Sequence, residues 1–260
     1  MARDPVGGPR AGETLLELLD ADLTPPGRTQ PLLRGVSFRL GRGEIAVLLG
    51  ANGSGKTTLL RSAAGLWPIL SGSLWPPATS GFDVRRAGLL LEDPSAQFTA
   101  GTVSGEIEFG LEGLDLGPEE IVARCSAVLE LLGIQDWAAV DPRALSPGEQ
   151  ELALLAAALA PGPPLLLLDD AFLYLGPGDA RRAWGAVTGY VRAGAIGAVL
   201  LATHDPEAAR TADRLGVLSE GRLVVWGPPE EVWNRDLPPE VERPVPPPLA
   251  DGGRRTADAT

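Results

Sequence analysis

The feature that most constrains the fold is a short apolar run that leads directly into a glycine-rich loop and then into a helical pattern. Residues 44–49 predict a buried strand, and residues 57–64 predict a helix. The loop between them matches the pattern G-x-x-x-x-G-K followed by Ser or Thr over residues 50–57. Strand, glycine loop and helix in this order are the setting in which such a loop binds phosphate. We therefore predict an α/β fold with a phosphate loop at the end of a central strand.

Lys56 of this loop is the only lysine in a chain of 260 residues, although lysine and arginine together number 22. Arginine therefore serves wherever else the chain carries a positive side chain. A compact ammonium fits between phosphate oxygens, whereas the planar guanidinium group is bulkier. This usage indicates that Lys56 contacts phosphate.

The predicted nucleotide-binding residues are those whose backbone N–H groups can converge on a phosphate at the start of the helix. They are Gly50, Ala51, Asn52, Gly53, Ser54, Gly55, Lys56, Thr57 and Thr58. In this interpretation Lys56 bridges the β- and γ-phosphates, and the hydroxyl of Thr57 binds Mg²⁺.

A strand that ends in a carboxylate supports the same chemistry. Four leucines at residues 165–168 precede Asp169, and residues 198–203 form another apolar run that ends before His204. Near-continuous apolar runs of this length are typical of central parallel strands. Taken alone, Asp169 could belong to a surface turn; beside a phosphate loop it is a predicted Mg²⁺ ligand.

The rest of the chain predicts strands that alternate with helices between two polar ends. The predicted elements are an antiparallel strand at 36–40, helices at 118–132 and 147–160, and a closing β pair at 215–219 and 222–226. Residues 1–12 are expected to form a flexible leader. The Pro-rich residues 236–260 are expected to form a disordered tail.

Composition excludes several classes of function. The net charge of −12 argues against binding to a nucleic-acid backbone and against unaided adhesion to anionic lipid. No apolar run approaches the roughly 20 residues of a membrane span. Cys125 is the only cysteine, which excludes a disulfide framework and fits a reducing cytoplasm. A role at a membrane would therefore require a protein partner.

Three further segments carry a resemblance to a known family. Leu145-Ser146-Pro147-Gly148-Glu149 stands where the ATP-binding subunits of ABC transporters carry their signature motif. The triplet 203–205, Thr-His-Asp, is similar to the segment of the switch histidine, and residues 212–232 are similar to the closing region of the cassette. The chain resembles that family over about residues 13–235.

A subfamily resemblance rests on the middle of the chain. Residues 92–98 (EDPSAQF), then Thr102-Val103 and residues 106–110 (EIEFG), are similar to the energy-coupling-factor and cobalt/nickel-uptake branch. The resemblance to this branch implies the uptake of a metal ion or a vitamin.

The family resemblance implies a P-loop NTPase cassette with a RecA-like core, an antiparallel β lobe and a helical lobe at about 95–160. It implies ATP and Mg²⁺ as cofactors, with Thr57, Asp169 and Glu92 around the metal and Asp170, His204 and Glu92 in catalysis. Ser146 and Gly148 would meet the nucleotide of a second cassette. An integral membrane transport subunit would hold the pair at the cytoplasmic face of the membrane.

Five departures from the family pattern fall mainly on the catalytic parts. Asp170 stands for the catalytic glutamate, Glu92 for a glutamine, Pro147 for the first signature glycine and Gly176 for an aspartate that crosses the dimer interface. The segment 24–30 holds no aromatic residue to stack on adenine. An aspartate is one methylene shorter than a glutamate, about 1.5 Å, and a displacement of about 1 Å can cost roughly 100-fold in rate.

Three functions therefore stand side by side. The first is an ATP-hydrolysing transport motor, and the second is a catalytically degenerate partner of an active cassette. The third is an ABC-type ATPase that is not linked to transport and acts on DNA or ribosomes. The acidic charge and the single cassette disfavour the third.

Overall fold

Two β-sheets organise the chain in the computed structural model, which describes residues 13–77, 83, 85–241 and 243. The strands are Thr14–Leu23 (β1), Leu33–Gly41 (β2), Ile45–Leu49 (β3), Ile69–Trp75 (β4), Ala87–Leu90 (β5), Leu165–Asp169 (β6), Ala198–Thr203 (β7), Arg214–Ser219 (β8) and Arg222–Gly227 (β9). The smaller sheet has the antiparallel order β2-β1-β4, and the larger sheet has the order β5-β6-β7-β3-β8-β9.

Most of the helices begin at a proline. The α-helices are Lys56–Ala63 (α1), Val103–Leu111 (α2), Pro118–Leu132 (α3), Pro147–Leu159 (α4), Pro177–Arg192 (α5) and Pro229–Trp233 (α6), and 3₁₀ turns occur at Gln135–Trp137, Pro142–Ala144 and Pro206–Thr211. Proline suits the first helical position because its missing N–H would have no intrahelical partner there and its φ is already helical. α3, α4, α5 and α6 all use it in this way.

The parallel strands of the large sheet bring the predicted functional segments to one edge. β3, β6 and β7 are buried along their whole length. In the parallel register Leu49 lies beside Thr203, and Asp169 lies beside Ala202. The loop after β3, the carboxylates that end β6 and the histidine after β7 therefore leave the sheet side by side.

The hydrophobic core lies on both faces of this sheet. Ile45, Val47 and Leu49 of β3 point to a cluster that includes α2, α3, α4 and α5. Ala46 and Leu48 point to the opposite cluster, where α1 and the three-stranded sheet pack. This alternation follows from the two-residue period of a β-strand, and burial on both faces explains why the strand is apolar throughout.

The predicted strands and helices are confirmed, with ends that differ by no more than a few residues. The packed chain extends beyond the expected start of the tail at 236. Leu237 and Val241 pack against the main core cluster, and the hydroxyl of Ser219 donates to Glu240 over 2.5 Å.

The expected leader at 1–12 and the remainder of the tail (242 and 244–260) lie outside the described residues. Among the described helices, none combines the length and the apolar character that a membrane crossing requires.

Candidate active site

The phosphate loop connects the buried end of β3 to the first residue of α1. Gly55, the residue just before α1, has φ +108°, and a Cβ atom there would come within 2.6 Å of the side chain of Leu33. Both the torsion angle and the close approach therefore require glycine at this position. The first N–H groups of α1 have no intrahelical acceptor, so this end of the helix can bind an anion.

Lys56 is held over the loop rather than extended into solvent. Its side chain is only 4% exposed, and Nζ donates to the carbonyl oxygen of Gly50 over 3.0 Å. The same ammonium lies 3.2 Å from Oδ2 of Asp170. The ammonium group of Lys56, which is predicted to contact phosphate, is therefore already positioned at the mouth of the loop.

Asp170 connects the phosphate loop to the histidine that follows β7. Its backbone lies in the left-handed region at φ +45°, and its N–H donates to Ala202 over 2.8 Å. One carboxylate oxygen pairs with Lys56, and the other lies 3.3 Å from Nδ1 of His204. The three predicted residues thus form one continuous chain of polar contacts.

Asp169 is buried without a hydrogen-bond partner. It is 1% exposed, and within the described residues neither carboxylate oxygen accepts a hydrogen bond. Burial raises the pKa of this carboxyl to about 6; the nearby Thr57 hydroxyl lowers it although it does not meet hydrogen-bond geometry, and the negative charge of Asp170 raises it. A buried carboxylate with free oxygens is the kind of donor that a divalent cation binds. The residues present therefore fit Mg²⁺.

Glu92 lies in the loop after β5 and is exposed. It is close enough to Asp169 for its charge to raise the pKa of Asp169, although less than burial does. The amide side chain of Gln97 holds this loop: Leu91 N–H donates to Oε1 over 3.2 Å, and Nε2 donates to the carbonyl oxygens of Leu91 and Asp93 over 3.0 and 2.6 Å. Sequence reasoning noted Gln97 only as part of the family resemblance and missed this function.

The signature segment begins α4. Ser146 precedes the helix, and its N–H and its hydroxyl both donate to Glu149 Oε2, over 2.8 and 2.6 Å. These bonds hold the pKa of Glu149 below its ordinary value. Pro147 occupies the first helical position, where the loss of an N–H has no cost, so this departure from the family pattern leaves the helix start intact.

Ser146 and Gly148 open onto a cavity of about 560 Å³. Its walls also include Trp137, Tyr174 and Asp179, and they include no residue of the loop 50–58. The structure therefore unites Lys56, Thr57, Asp169, Asp170 and His204 at one sheet edge, with Glu92 nearby, whereas the signature faces a separate space.

Two further departures can be located. In the segment 24–30 the Thr24 hydroxyl donates to the carbonyl oxygen of Gln30 over 3.0 Å, so a polar turn takes the place of an adenine-stacking residue. Gly176 lies just before the first residue of α5, and no side chain extends from this position.

Residues 33–173 match the family described as ABC transporter. The energy-coupling factor transporter ATP-binding protein EcfA1 of Levilactobacillus brevis is 34% identical over 211 residues, which cover 79% of this chain and 75% of that relative. The structure of cbiO1 from Clostridium perfringens, part of the ABC transporter complex cbiONQ, superposes with a TM-score of 0.72 at 25% identity and covers 85% of this chain and 91% of the other.

A dimeric ATP-binding cassette solved in a post-hydrolysis state with ADP and phosphate gives a TM-score of 0.73 at 21% identity, over 82% of this chain and 98% of the other, and establishes likeness of fold. The polar cluster at the sheet edge, the matched family and the matched structures agree. The chain belongs to the ABC transporter family and has the fold of its ATP-binding cassettes.

Proposed function

We propose that the chain binds ATP with Mg²⁺ at this sheet edge and hydrolyses ATP as the motor subunit of an energy-coupling-factor type transporter. The observation that carries the proposal is the buried pair of Lys56 and Asp170, with the exposed His204 in contact with Asp170, beside the unpartnered carboxylate of Asp169. A triphosphate would supply the negative charge that Lys56 and the start of α1 favour. A magnesium ion would supply the positively charged partner that the carboxylate of Asp169 lacks.

Each side chain has a defined part in this proposal. The N–H groups of residues 51–57 bind the β-phosphate, and Lys56 contacts the γ-phosphate. Thr57, Asp169 and Glu92 would hold Mg²⁺, whose charge would neutralise the phosphate oxygens. Asp170 orients the attacking water, and His204 stabilises that carboxylate through the contact between Nδ1 and Oδ1.

The position of the signature supports a partner cassette. Ser146 and Gly148 line a cavity without any residue of their own phosphate loop, so the γ-phosphate bound by a second cassette can approach them. A membrane transport subunit, as the relatives' names indicate for those proteins, would hold the pair at the cytoplasmic face of the membrane. A metal ion or a vitamin is the proposed cargo, and the acidic surface supports no role for nucleic acid.

A second candidate is a weakly hydrolysing partner of an active cassette. Asp170 is one methylene shorter than glutamate, and both of its oxygens are engaged, one by Lys56 and one by His204. Because these contacts occupy both oxygens, the carboxylate is less available to an attacking water. Nucleotide binding does not depend on the length of the Asp170 side chain. Measurements of ATP affinity and of ATP turnover therefore distinguish the two candidates.

Replacement of the lysine tests nucleotide binding. We expect Lys56→Ala to weaken the affinity for Mg²⁺·ATP by about 10- to 100-fold, because charge-assisted contacts to the phosphates are lost. Lys56→Arg is the matched control: it keeps the charge, but the guanidinium should not fit, so most of the loss should remain. Isothermal titration calorimetry measures both. Equal affinity in all three proteins would remove the phosphate-loop assignment.

Lengthening the carboxylate tests the second candidate. We expect Asp170→Glu to raise ATP turnover about tenfold or more, because the added methylene brings the carboxylate toward the position of the water. Phosphate release by the full chain measures the rate, and Lys56→Ala in the same background should abolish the gain. A rate that is unchanged or lower would argue against a shortened catalytic carboxylate.

Removal of the buried charge tests the metal site. The raised pKa of Asp169, about 6 against 3.8, means that its ionisation costs the folded state about 3 kcal/mol at neutral pH. Without nucleotide, Asp169→Asn should therefore increase the free energy of unfolding at pH 7, and the gain should shrink toward about pH 4, where the native carboxyl is itself protonated.

The same variant should lose the dependence of ATP binding on Mg²⁺. Urea denaturation at the two pH values and titration of ATP with and without Mg²⁺ measure these effects. Lower stability at pH 7 together with an intact Mg²⁺ response would contradict the assignment of Asp169 as a metal ligand.

Extraction from membranes tests the link to transport. We expect the full chain, tagged and expressed in its own cells, to purify with an integral membrane protein and with a second cassette, since its net charge of −12 cannot anchor it to anionic lipid. Mass spectrometry identifies the companions. Recovery of the chain with nucleic acid or ribosomes instead would favour an ATPase that is not linked to transport.

A further inference from the structure

Glu151 is a buried carboxylate that the proposed reaction does not use. It lies in the second turn of α4 and is only 4% exposed. A buried charge is costly unless it accepts hydrogen bonds. Its Oε1 accepts from the N–H of Phe172 over 2.5 Å, and its Oε2 accepts from the N–H of Tyr174 over 3.4 Å. Burial raises the pKa of Glu151, while the N–H groups of residues 172–174 lower it.

The segment that Glu151 holds is the connection between β6 and α5, residues 170–176, and Asp170 is its first residue. Two non-glycine residues in this connection have left-handed backbones, Asp170 at φ +45° and Phe172 at φ +77°. Such torsion angles are unfavourable for residues with a Cβ atom and persist only where surrounding contacts fix them. The carboxylate of Glu151 is one such contact. The ring of Trp184, whose centroid lies 6.3 Å from the centroid of the Phe172 ring, is another.

The same connection packs directly against the signature. A Cβ atom at Gly148 would lie 2.7 Å from the carbonyl oxygen of Tyr174, so the first turn of α4 touches the backbone of the connection. Glu151, one turn later, adds the hydrogen bonds. The first turn of α4 therefore packs against the connection 170–176 at Gly148, and the second turn is hydrogen-bonded to it through the carboxylate of Glu151.

We propose that Glu151 is a positioning residue that couples the nucleotide at the phosphate loop to the signature segment 145–149. The proposal rests on the proposed function. Nζ of Lys56 lies 3.2 Å from Oδ2 of Asp170. The γ-phosphate of bound ATP competes with Asp170 for this ammonium group. Release of Asp170 shifts the connection, and the carboxylate of Glu151 carries the shift to α4 and to the signature.

Glu106 offers a matched control for the loss of a buried carboxylate. It is 7% exposed, and its Oε2 accepts from the N–H groups of Thr99 and Ala100, each over 2.8 Å. It therefore resembles Glu151 in burial and in the kind of group it binds. The backbone that it holds, at Thr99 and Ala100, lies outside the connection 170–176.

The experiment compares the full chain with Glu151→Leu, Glu151→Asp and Glu106→Leu. Titration calorimetry gives the affinity for Mg²⁺·ATP, and hydrogen exchange with and without Mg²⁺·ATP follows peptides that cover residues 145–152 and 170–176. Glu151→Asp keeps the charge but withdraws the oxygens by one methylene, so it decides the matter if the leucine variant does not fold.

We expect all four proteins to bind Mg²⁺·ATP with similar affinity, since the phosphate loop is unchanged. In the unliganded Glu151 variants the N–H groups of Phe172 and Tyr174 should exchange about tenfold faster, because they lose a charged acceptor. Nucleotide should change exchange in 145–152 in the native chain and in Glu106→Leu, and this change should be lost in both Glu151 variants.

Two results would overturn the coupling. One is a nucleotide response in 145–152 that is absent from the native chain or undiminished in the Glu151 variants. The other is an equal loss in Glu106→Leu, which would show a general effect of removing a buried carboxylate. Failure of the native chain to bind Mg²⁺·ATP at all would be visible in the calorimetry, and it would overturn the proposed function together with this inference.

Discussion

The buried ion pair between Lys56 and Asp170 is the interaction on which the arrangement of the site depends. It joins the first residue of α1 to the end of β6, and both side chains are less than a tenth exposed. Two charges withdrawn from water are stable only while each has its partner, so the pair fixes the phosphate loop relative to the carboxylates. A ligand that separates the pair must offer Lys56 another anion in the same place, and the phosphate groups of ATP meet that requirement.

Prediction of the fold succeeded where local pattern and tertiary position agree. β6 and β7 are uninterrupted apolar runs, and α3 begins at a proline and ends at a left-handed glycine, Gly133, so their ends could be read from the residues alone. β1 and α5 are among the elements that escaped prediction, with β4, β5 and α2. Asp20, with φ +46°, lies at a break in the register of β1, and Gly185 and Gly189 lie inside α5. Packing against other elements outweighs these unfavourable local preferences.

Prediction of the site followed the same division. The motifs identified Lys56, Asp169 and His204, because each stands directly at the end of a recognisable strand or loop. The contacts of Glu151 could not be predicted in this way, since its acceptor atoms meet backbone groups 21 and 23 residues further along the chain. Glu151 directly follows Glu149 and Gln150 in α4, so the sequence gives no local signal that distinguishes it. The loop contacts of Gln97 likewise depend on a turn that the pattern does not specify.

The four helices that begin at a proline have a consequence for the unfolded chain. With 33 glycines, this polypeptide has unusual backbone freedom to lose when it folds. A proline whose native torsion angle is already the helical one narrows the unfolded ensemble at that point, which stabilises the native state by about 0.4–1 kcal/mol per site. The prolines that begin these four helices thus offset part of the conformational entropy that the glycines lose on folding.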